Sequence, residues 1–130
     1  MRKRKTNVIV VKEGVGYSAT SNIYNKFVAT EADTFEDLKA GILEAINFTF
    51  EKDDIEYTLN DIQFEFDLES FFDFYRVINA KALSERIGMN QSLLAQYIKG
   101  IKKPSPAQTK RILMGVQQIG RELTEVRFLL

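Results

Sequence analysis

The chain contains no cysteine and no histidine. Without cysteine there are no disulfides, thiol nucleophiles or cysteine-based zinc sites, and such a chain is typical of a reducing compartment. Without histidine, the chain lacks the commonest general base near neutral pH and the commonest metal ligand. These two absences exclude many catalytic and metal sites before any motif is considered.

Long hydrophobic runs are also missing. The basic start, MRKRKTNVIVV, is like the beginning of a signal peptide, but its apolar run covers only residues 8–11 before Lys12. That run is too short for a secretory signal. No segment approaches the roughly 18 apolar residues of a membrane span. We therefore expect a soluble, cytoplasmic protein with no membrane partner.

The composition that is present favours a folded protein. The chain has 130 residues, which allows one or two small domains. Its hydrophobic content of 45%, with 12% aromatic residues, is sufficient for a packed core and argues against disorder.

Charge is distributed unevenly along the chain, although the total is zero. Residues 1–30 carry a net charge of +5, residues 31–70 carry −11, and residues 71–130 carry +6. Surfaces of opposite sign attract different partners, whereas a charge run with no partner is only a solvated face. The choice between these interpretations depends on the motifs.

The first half of the chain has the pattern of a small sheet with one helix. Alternating or β-branched residues predict strands, the glycines of Glu13–Gly16 suit a hairpin turn, and Ser21-Asn22 suggests a second turn. Thr34 is a good N-cap for a helix with an apolar face. The sequence therefore predicts the order β-β-β-α-β. The elements are Thr6–Lys12, Tyr17–Ser21, Lys26–Thr30, a helix from Phe35 to about Phe48, and Ile62–Phe66.

The second half is predicted to be wholly helical. Asp67 is the expected cap of a helix through Ile78, Gly88 and Gly100 suit helix ends, and Ser105 begins a capping box. The predicted helices are 68–78, 81–87, 91–99 and about twenty residues from Pro106. The fold class is therefore α+β, with a sheet-plus-helix domain at residues 1–67 and an all-α domain at residues 68–130.

The segment IGMNQSLLAQYIKG, residues 87–100, predicts two short helices that cross at a steep angle. Leu83 and Ile87 can meet Leu94 and Ile98 behind the turn at Gly88, as in a helix-turn-helix whose second helix enters the DNA major groove. On the face opposite Leu94 and Ile98, polar side chains suited to base edges are Gln91, Ser92 and Gln96. The lysines suited to phosphates are Lys99, Lys102, Lys103 and Lys110, with Arg111 beside the last.

This segment resembles the helix-turn-helix of XRE/Cro-type repressors. The matching residues are Leu83, Ser84, Gly88, Met89, Asn90, Gly100, Lys102, Lys103, Pro104 and Ser105. Two positions depart from the family. Ala80 replaces a frequent glutamine, so the phosphate contact of that glutamine is not expected here, and Ile98 replaces a common glutamate. The resemblance implies binding to operator DNA. The alternative is a helical bundle with no nucleic-acid role.

The stretch ADTFEDLKAGILEAI resembles HicB-type antitoxins, which carry a partial ribonuclease H-like domain. The matching residues are Asp33, Thr34, Glu36, Asp37, Glu44 and Ala45, whereas Ala32 and Leu38 depart from the family pattern. The resemblance implies a type II antitoxin that neutralises a HicA-like mRNA-cleaving toxin and represses its own operon. The residues expected to bind the toxin are Glu31, Asp33, Glu36 and Asp37. Independently, a ribonuclease attracts phosphates and is basic, so an acidic segment can occupy the same surface.

Two other functions compete with the antitoxin. One is a stand-alone XRE-family transcription regulator whose N-terminal domain senses a ligand or dimerises. The other is a nuclease on a ribonuclease H-like scaffold, but the first strand carries no acid and Glu13 lies beyond its end. We therefore expect no catalysis, no metal and no cofactor.

Oligomerisation and the aromatic residues leave alternatives open. Six aromatics between Phe64 and Tyr75 are either core or an interface. An apolar seam along the last helix serves either packing within the domain or pairing with a second copy; its residues are Ile112, Val116, Ile119, Leu123, Val126 and Leu130. A homodimer or higher homo-oligomer is expected because one short helix reads few bases.

Overall fold

The computed structural model describes residues 2–130, which form two compact units. The first unit ends at Phe74 and the second unit is Tyr75–Leu130. The described residues contain a four-stranded mixed sheet and five α-helices, so the chain is α+β, as predicted. None of the helices in this part of the chain is long and apolar enough to cross a membrane.

The first unit is a four-stranded sheet with two helices. The sheet order is β3-β2-β1-β4, in which β1 and β4 are parallel and the other neighbours are antiparallel. A parallel pair requires a crossover connection, which the segment between β3 and β4 supplies. The elements are β1 Thr6–Lys12, β2 Tyr17–Ile23, β3 Lys26–Ala32, α1 Phe35–Thr49, β4 Ile62–Phe66 and α2 Leu68–Phe74.

The core of the first unit combines strand and helix periodicity. Val8 and Val10 point inward from β1, while Leu38, Ile42 and Ile46 recur every fourth residue along α1, and all five are fully buried. Thr34 caps α1 by accepting a hydrogen bond from the Asp37 N–H at 3.1 Å. These residues confirm the predicted apolar faces and the predicted helix start.

The turn between β2 and β3 is not at Ser21-Asn22, as the sequence had indicated. It lies at Tyr24 and Asn25, whose φ angles of 50° and 64° are typical of a type I′ hairpin. Ser21 instead lies within β2, where its buried hydroxyl is 2.8 Å from the Thr6 hydroxyl. The short polar side chain is therefore explained by a cross-strand hydrogen bond and not by a turn.

Helix α2 belongs to the first unit, so the division falls after Phe74 and not after residue 67. Phe74 stacks on Tyr17 with ring centroids 3.9 Å apart and contacts Phe35 at 4.6 Å. The buried Ser70 hydroxyl accepts a hydrogen bond from the Lys12 backbone N–H at 2.7 Å. The helix ends at Phe74, short of the predicted Ile78.

Two polar side chains hold the connection before β4. Asn47 donates to the Tyr57 carbonyl at 3.0 Å and accepts from the Tyr57 N–H at 2.6 Å. Asp61 accepts hydrogen bonds from the Thr58 backbone N–H at 2.9 Å and from Lys3 at 3.0 Å. These two contacts, with the Thr58 hydrogen bond the stronger cause, lower the pKa of Asp61 below its ordinary value of 3.8.

Asp61→Asn is expected to lower the melting temperature near neutral pH but to have little effect in acid. A depressed folded-state pKa contributes stability above the unfolded-state pKa, and that contribution is lost as pH falls through the folded-state pKa. The check is thermal unfolding of both proteins from pH 7 to pH 2. A melting-temperature difference that stays constant below pH 3.8 would contradict this role.

The second unit contains three helices, α3 Ala80–Ile87, α4 Gln91–Ile98 and α5 Pro106–Glu125. Each begins after a residue whose side chain caps it, namely Asn79, Asn90 and Ser105. Four apolar side chains from these helices and the α3–α4 turn are buried and form the core of this unit. They are Leu83, Met89, Leu94 and Ile112.

Candidate nucleic-acid interface

The three-residue turn between α3 and α4 is fixed by backbone hydrogen bonds. Gly88 has a φ of 68°, in the left-handed region that glycine adopts freely. The Met89 N–H donates to the Ser84 carbonyl at 2.8 Å, and the Gly88 N–H donates to the Glu85 carbonyl at 3.3 Å. The Asn90 side chain then accepts from the Leu93 N–H at 3.1 Å. Two backbone hydrogen bonds therefore close the end of α3, and one side-chain hydrogen bond caps the start of α4.

Helix α5 supports this turn through contacts that the sequence did not reveal. Arg111 donates to the Ile87 carbonyl at 2.7 Å and to the Gly88 carbonyl at 2.8 Å, so it satisfies the end of α3. A Cβ on Gly115 would lie 2.4 Å from the Ile87 side chain, so α5 approaches α3 closely at this glycine. Arg111, which the sequence suggested as a phosphate contact, therefore donates its hydrogen bonds within the second unit. Gly115, a glycine in the middle of α5, was the sequence signal for the close approach of the two helices.

The outer surface of α4 carries two of the three predicted base-reading residues, Ser92 and Gln96. Gln91 and Ser92 are exposed, and Gln96 is half-buried. Because successive residues turn by about 100° around a helix, Ser92 and Gln96 lie opposite the buried Leu94. Gln91 lies only about 60° from Leu94, so the expectation that it also lies opposite is wrong. Its exposure comes from its position as the first residue of α4.

The four predicted phosphate-binding lysines are Lys99, Lys102, Lys103 and Lys110. All are exposed, and none forms an ion pair with a residue in the described range 2–130. The end of α4 is closed by the Gln96 carbonyl, which accepts from the Ile101 N–H at 2.9 Å and from the Lys102 N–H at 3.3 Å. Residues 75–130 contain ten Lys/Arg and three acids, so this unit is strongly basic.

The predicted toxin-binding acids lie together in the first unit. Glu31, Asp33, Glu36 and Asp37 are all exposed around the end of β3 and the first turn of α1. Of these, Glu36 pairs with Lys39 at 2.9 Å, and the other three have no ion pair among the described residues. Residues 1–74 contain fifteen acids and eight bases, so this unit has the opposite charge to the second.

Four other acids of the first unit already contact a lysine or serine side chain. Asp53, Asp61 and Asp73 each lie within ion-pair distance of a lysine, at 3.8, 3.0 and 3.0 Å. Glu13 accepts a hydrogen bond from the Ser18 hydroxyl at 2.8 Å. Across residues 2–130, no three acids are grouped so that they could hold a metal ion. The β3–α1 junction is therefore one part of a wider acidic surface, because further acids of the first unit are exposed and form no ion pair among the described residues. They include Glu44, Glu51, Asp54, Glu56, Glu65 and Glu69.

Comparisons with protein-family models, with curated proteins and with solved structures found no match to this chain. Its function is therefore inferred from its own geometry and charge.

Proposed function

We propose that the second unit is an XRE/Cro-type helix-turn-helix domain and that α4 binds in the major groove of operator DNA. The observation that carries the proposal is one helix, α4, that exposes Gln91 and Ser92 and is followed directly by unpaired lysines. Its inner face is anchored by Leu94, which is 1% exposed. A helix held on one side and free on the other is what insertion into a groove requires.

The residue types suit the roles assigned to them. A glutamine amide can donate to and accept from an adenine edge at once, and a serine hydroxyl can bond several bases. Gln91, Ser92 and Gln96 are therefore proposed to read sequence. Lysine side chains bind phosphates as point charges and fix the position of the protein without reading sequence. Lys99, Lys102, Lys103 and Lys110 are therefore proposed to supply that contact.

Lys102→Ala is expected to weaken binding to all DNA sequences equally and to lower the slope of log affinity against log salt by about 1. The measurement is a titration of specific and unrelated duplexes at several salt concentrations. Lys52→Ala, which removes an exposed lysine from the acidic first unit, is the matched control and should leave the slope unchanged. A change in sequence preference caused by Lys102→Ala would reverse the roles proposed for α4 and the loop.

For the first unit, we propose a HicB-like partial ribonuclease H fold that binds and neutralises a basic, HicA-like ribonuclease. The support is the exposed acidic cluster at the β3–α1 junction, whose free carboxylates are complementary to a phosphate-binding surface. The protein would then be the antitoxin and operon repressor of a type II pair, acting as a homodimer or higher homo-oligomer, with no catalytic activity of its own.

Co-expression with the neighbouring gene tests this second role. A small basic protein encoded there is expected to co-purify with the wild-type chain and to be lost from Glu31→Lys/Asp33→Lys. The control is Glu51→Lys/Glu56→Lys, which makes the same charge change at exposed positions away from the junction. If no basic protein binds while operator binding persists, the stand-alone regulator is the better description.

A further inference from the structure

Helix α5 has one side without charge. Its five charged residues all fall within about a third of the helix circumference; they are Lys110, Arg111, Arg121, Glu122 and Glu125. On the other side lies the α5 stripe, which we define as Leu113, Val116, Gly120 and Leu123. Leu113 is 51% exposed, Leu123 is 65% exposed and Gly120 is exposed, whereas Val116 is half-buried, so most of this apolar row faces outward.

Packing within the chain does not account for the α5 stripe. Ile112 and Gly115 contact the rest of the second unit, since Ile112 is 1% exposed and a Cβ on Gly115 would meet Ile87 at 2.4 Å. By contrast, a Cβ on Gly120 would have nothing within 4 Å. A glycine inside a helix costs about 0.5–1 kcal/mol relative to alanine. Packing within the second unit therefore gives no reason for a glycine at position 120.

The α5 stripe is symmetric about its own midpoint. Its residues are spaced by three, four and three positions, so the pattern is the same from either end. When two identical helices pack antiparallel about a two-fold axis, each residue of one copy faces its mirror position in the other. Leu113 then meets Leu123 of the other copy, and Val116 meets Gly120. The large residue of each inner pair faces the small one, which allows the helices to approach closely.

We propose that the α5 stripe is the surface through which two copies of this chain pair, antiparallel, about a two-fold axis. The segment after α5 adds apolar area, because Val126 is 46% exposed and Phe128 is 86% exposed. A buried phenylalanine covers about 150–250 Å². Stripe and segment together therefore offer a substantial part of the roughly 800 Å² per partner in a standard interface.

This pairing deepens the proposed function by naming the surface of the repressor dimer, but its tests use no DNA. If the wild-type chain forms a dimer but binds no DNA, the role proposed for α4 fails and the pairing through the α5 stripe stands. If the wild-type chain is a monomer and still binds DNA, the pairing through the α5 stripe fails and the role proposed for α4 stands.

Leu113→Glu and Leu123→Glu are the first test, by analytical ultracentrifugation of the full chain. Each leucine is buried twice in the pair, so either substitution is expected to raise the dimer dissociation constant by about 100-fold or more. Met114→Glu is the control, because Met114 is 57% exposed on the same helix but lies outside the stripe. Equal effects of the Leu113 and Met114 substitutions, or a wild-type chain that is monomeric at about 100 μM, would overturn the proposal.

Disulfide trapping is the second test, since the natural chain has no cysteine and hence no background. Leu113→Cys and Leu123→Cys proteins, mixed and oxidised, are expected to form a disulfide between the two different chains. Each variant alone should not cross-link, because the two copies of its cysteine lie at opposite ends of the stripe. Cross-linking of either variant to itself would show a parallel or different pairing and would overturn the antiparallel arrangement.

Gly120→Ala is expected to stabilise the helix of the single chain and to weaken the pair. In the single chain the added methyl meets open space, so helix stability is expected to rise. In the pair it meets Val116 of the other copy, so the dimer dissociation constant is expected to rise about tenfold. A dimer that is unaffected or tightened by Gly120→Ala would exclude close approach at this glycine.

Discussion

A protein carrying Gln91→Ala and Gln96→Ala is expected to bind its operator more weakly by about 2–6 kcal/mol, the sum of two bidentate base contacts. Non-specific DNA should be bound nearly as well as before, because the lysines that contact phosphates remain in place. The measurement is the dissociation constant for a selected site and for an unrelated duplex at one fixed salt concentration.

The matched control is Gln117→Ala/Gln118→Ala, which removes two exposed glutamines from α5 and none from α4. Circular dichroism of both double variants shows whether the helices are kept, which matters because Gln96 is half-buried. If the α4 variant lost affinity for both kinds of DNA equally, its glutamines would not be reading bases.

The second large effect is expected from Leu94→Ala, which should destabilise the second unit by about 2–5 kcal/mol. Leu94 is 1% exposed and holds the inner face of α4 against the core of that unit. The cost includes lost burial and the cavity left behind. Because the buried residues of the first unit form a separate core cluster, the sheet should remain folded while DNA binding is lost.

Chemical denaturation followed by circular dichroism, together with DNA titration, measures both parts of this expectation. Leu93→Ala is the control, because Leu93 is adjacent but only half-buried and should cost much less. A Leu94→Ala protein with the stability of the wild type would mean that the buried face of α4 is not what holds it in place.

Local signals in the sequence predicted several elements with the bounds that the structure has. The strand Thr6–Lys12 follows from its β-branched residues, and Ile62–Phe66 follows from alternation of apolar and polar residues. Neither signal needs knowledge of distant partners. The starts of α1, α4 and α5 follow from Thr34, Asn90 and Ser105, whose side chains bond backbone groups three residues away. Such interactions lie within one turn of chain and leave a clear pattern.

Features that depend on distant residues were not predicted. The parallel pairing of β1 with β4 joins residues more than fifty positions apart, as between Val8 and Phe64. The packing of α2 on the sheet depends on Phe74 meeting Tyr17, and this is why the predicted boundary fell too early. No local pattern distinguishes an aromatic residue that packs on a sheet from one that continues a helix.

The candidate site was predicted in its residue types and only partly in its geometry. The exposure of Ser92 and of the lysines follows from helical spacing and charge. The half-buried state of Gln96 does not follow from that spacing, because it depends on how neighbouring residues pack around α4. The direction of Gln91 does follow from helical spacing, which places it about 60° from Leu94 and not opposite it. The use of Arg111 inside the unit also escaped prediction, since its carbonyl acceptors lie on α3 and at its C-cap.

The central claim is that α4 projects far enough to read base edges, and footprinting on DNA selected from a random pool at low ionic strength tests it most directly. The account predicts a protected, two-fold symmetric site whose half-sites are centred about 10–10.5 base pairs apart or a multiple of that distance, and loss of this protection with Gln91→Ala/Gln96→Ala. The absence of any protected site at low ionic strength would contradict it.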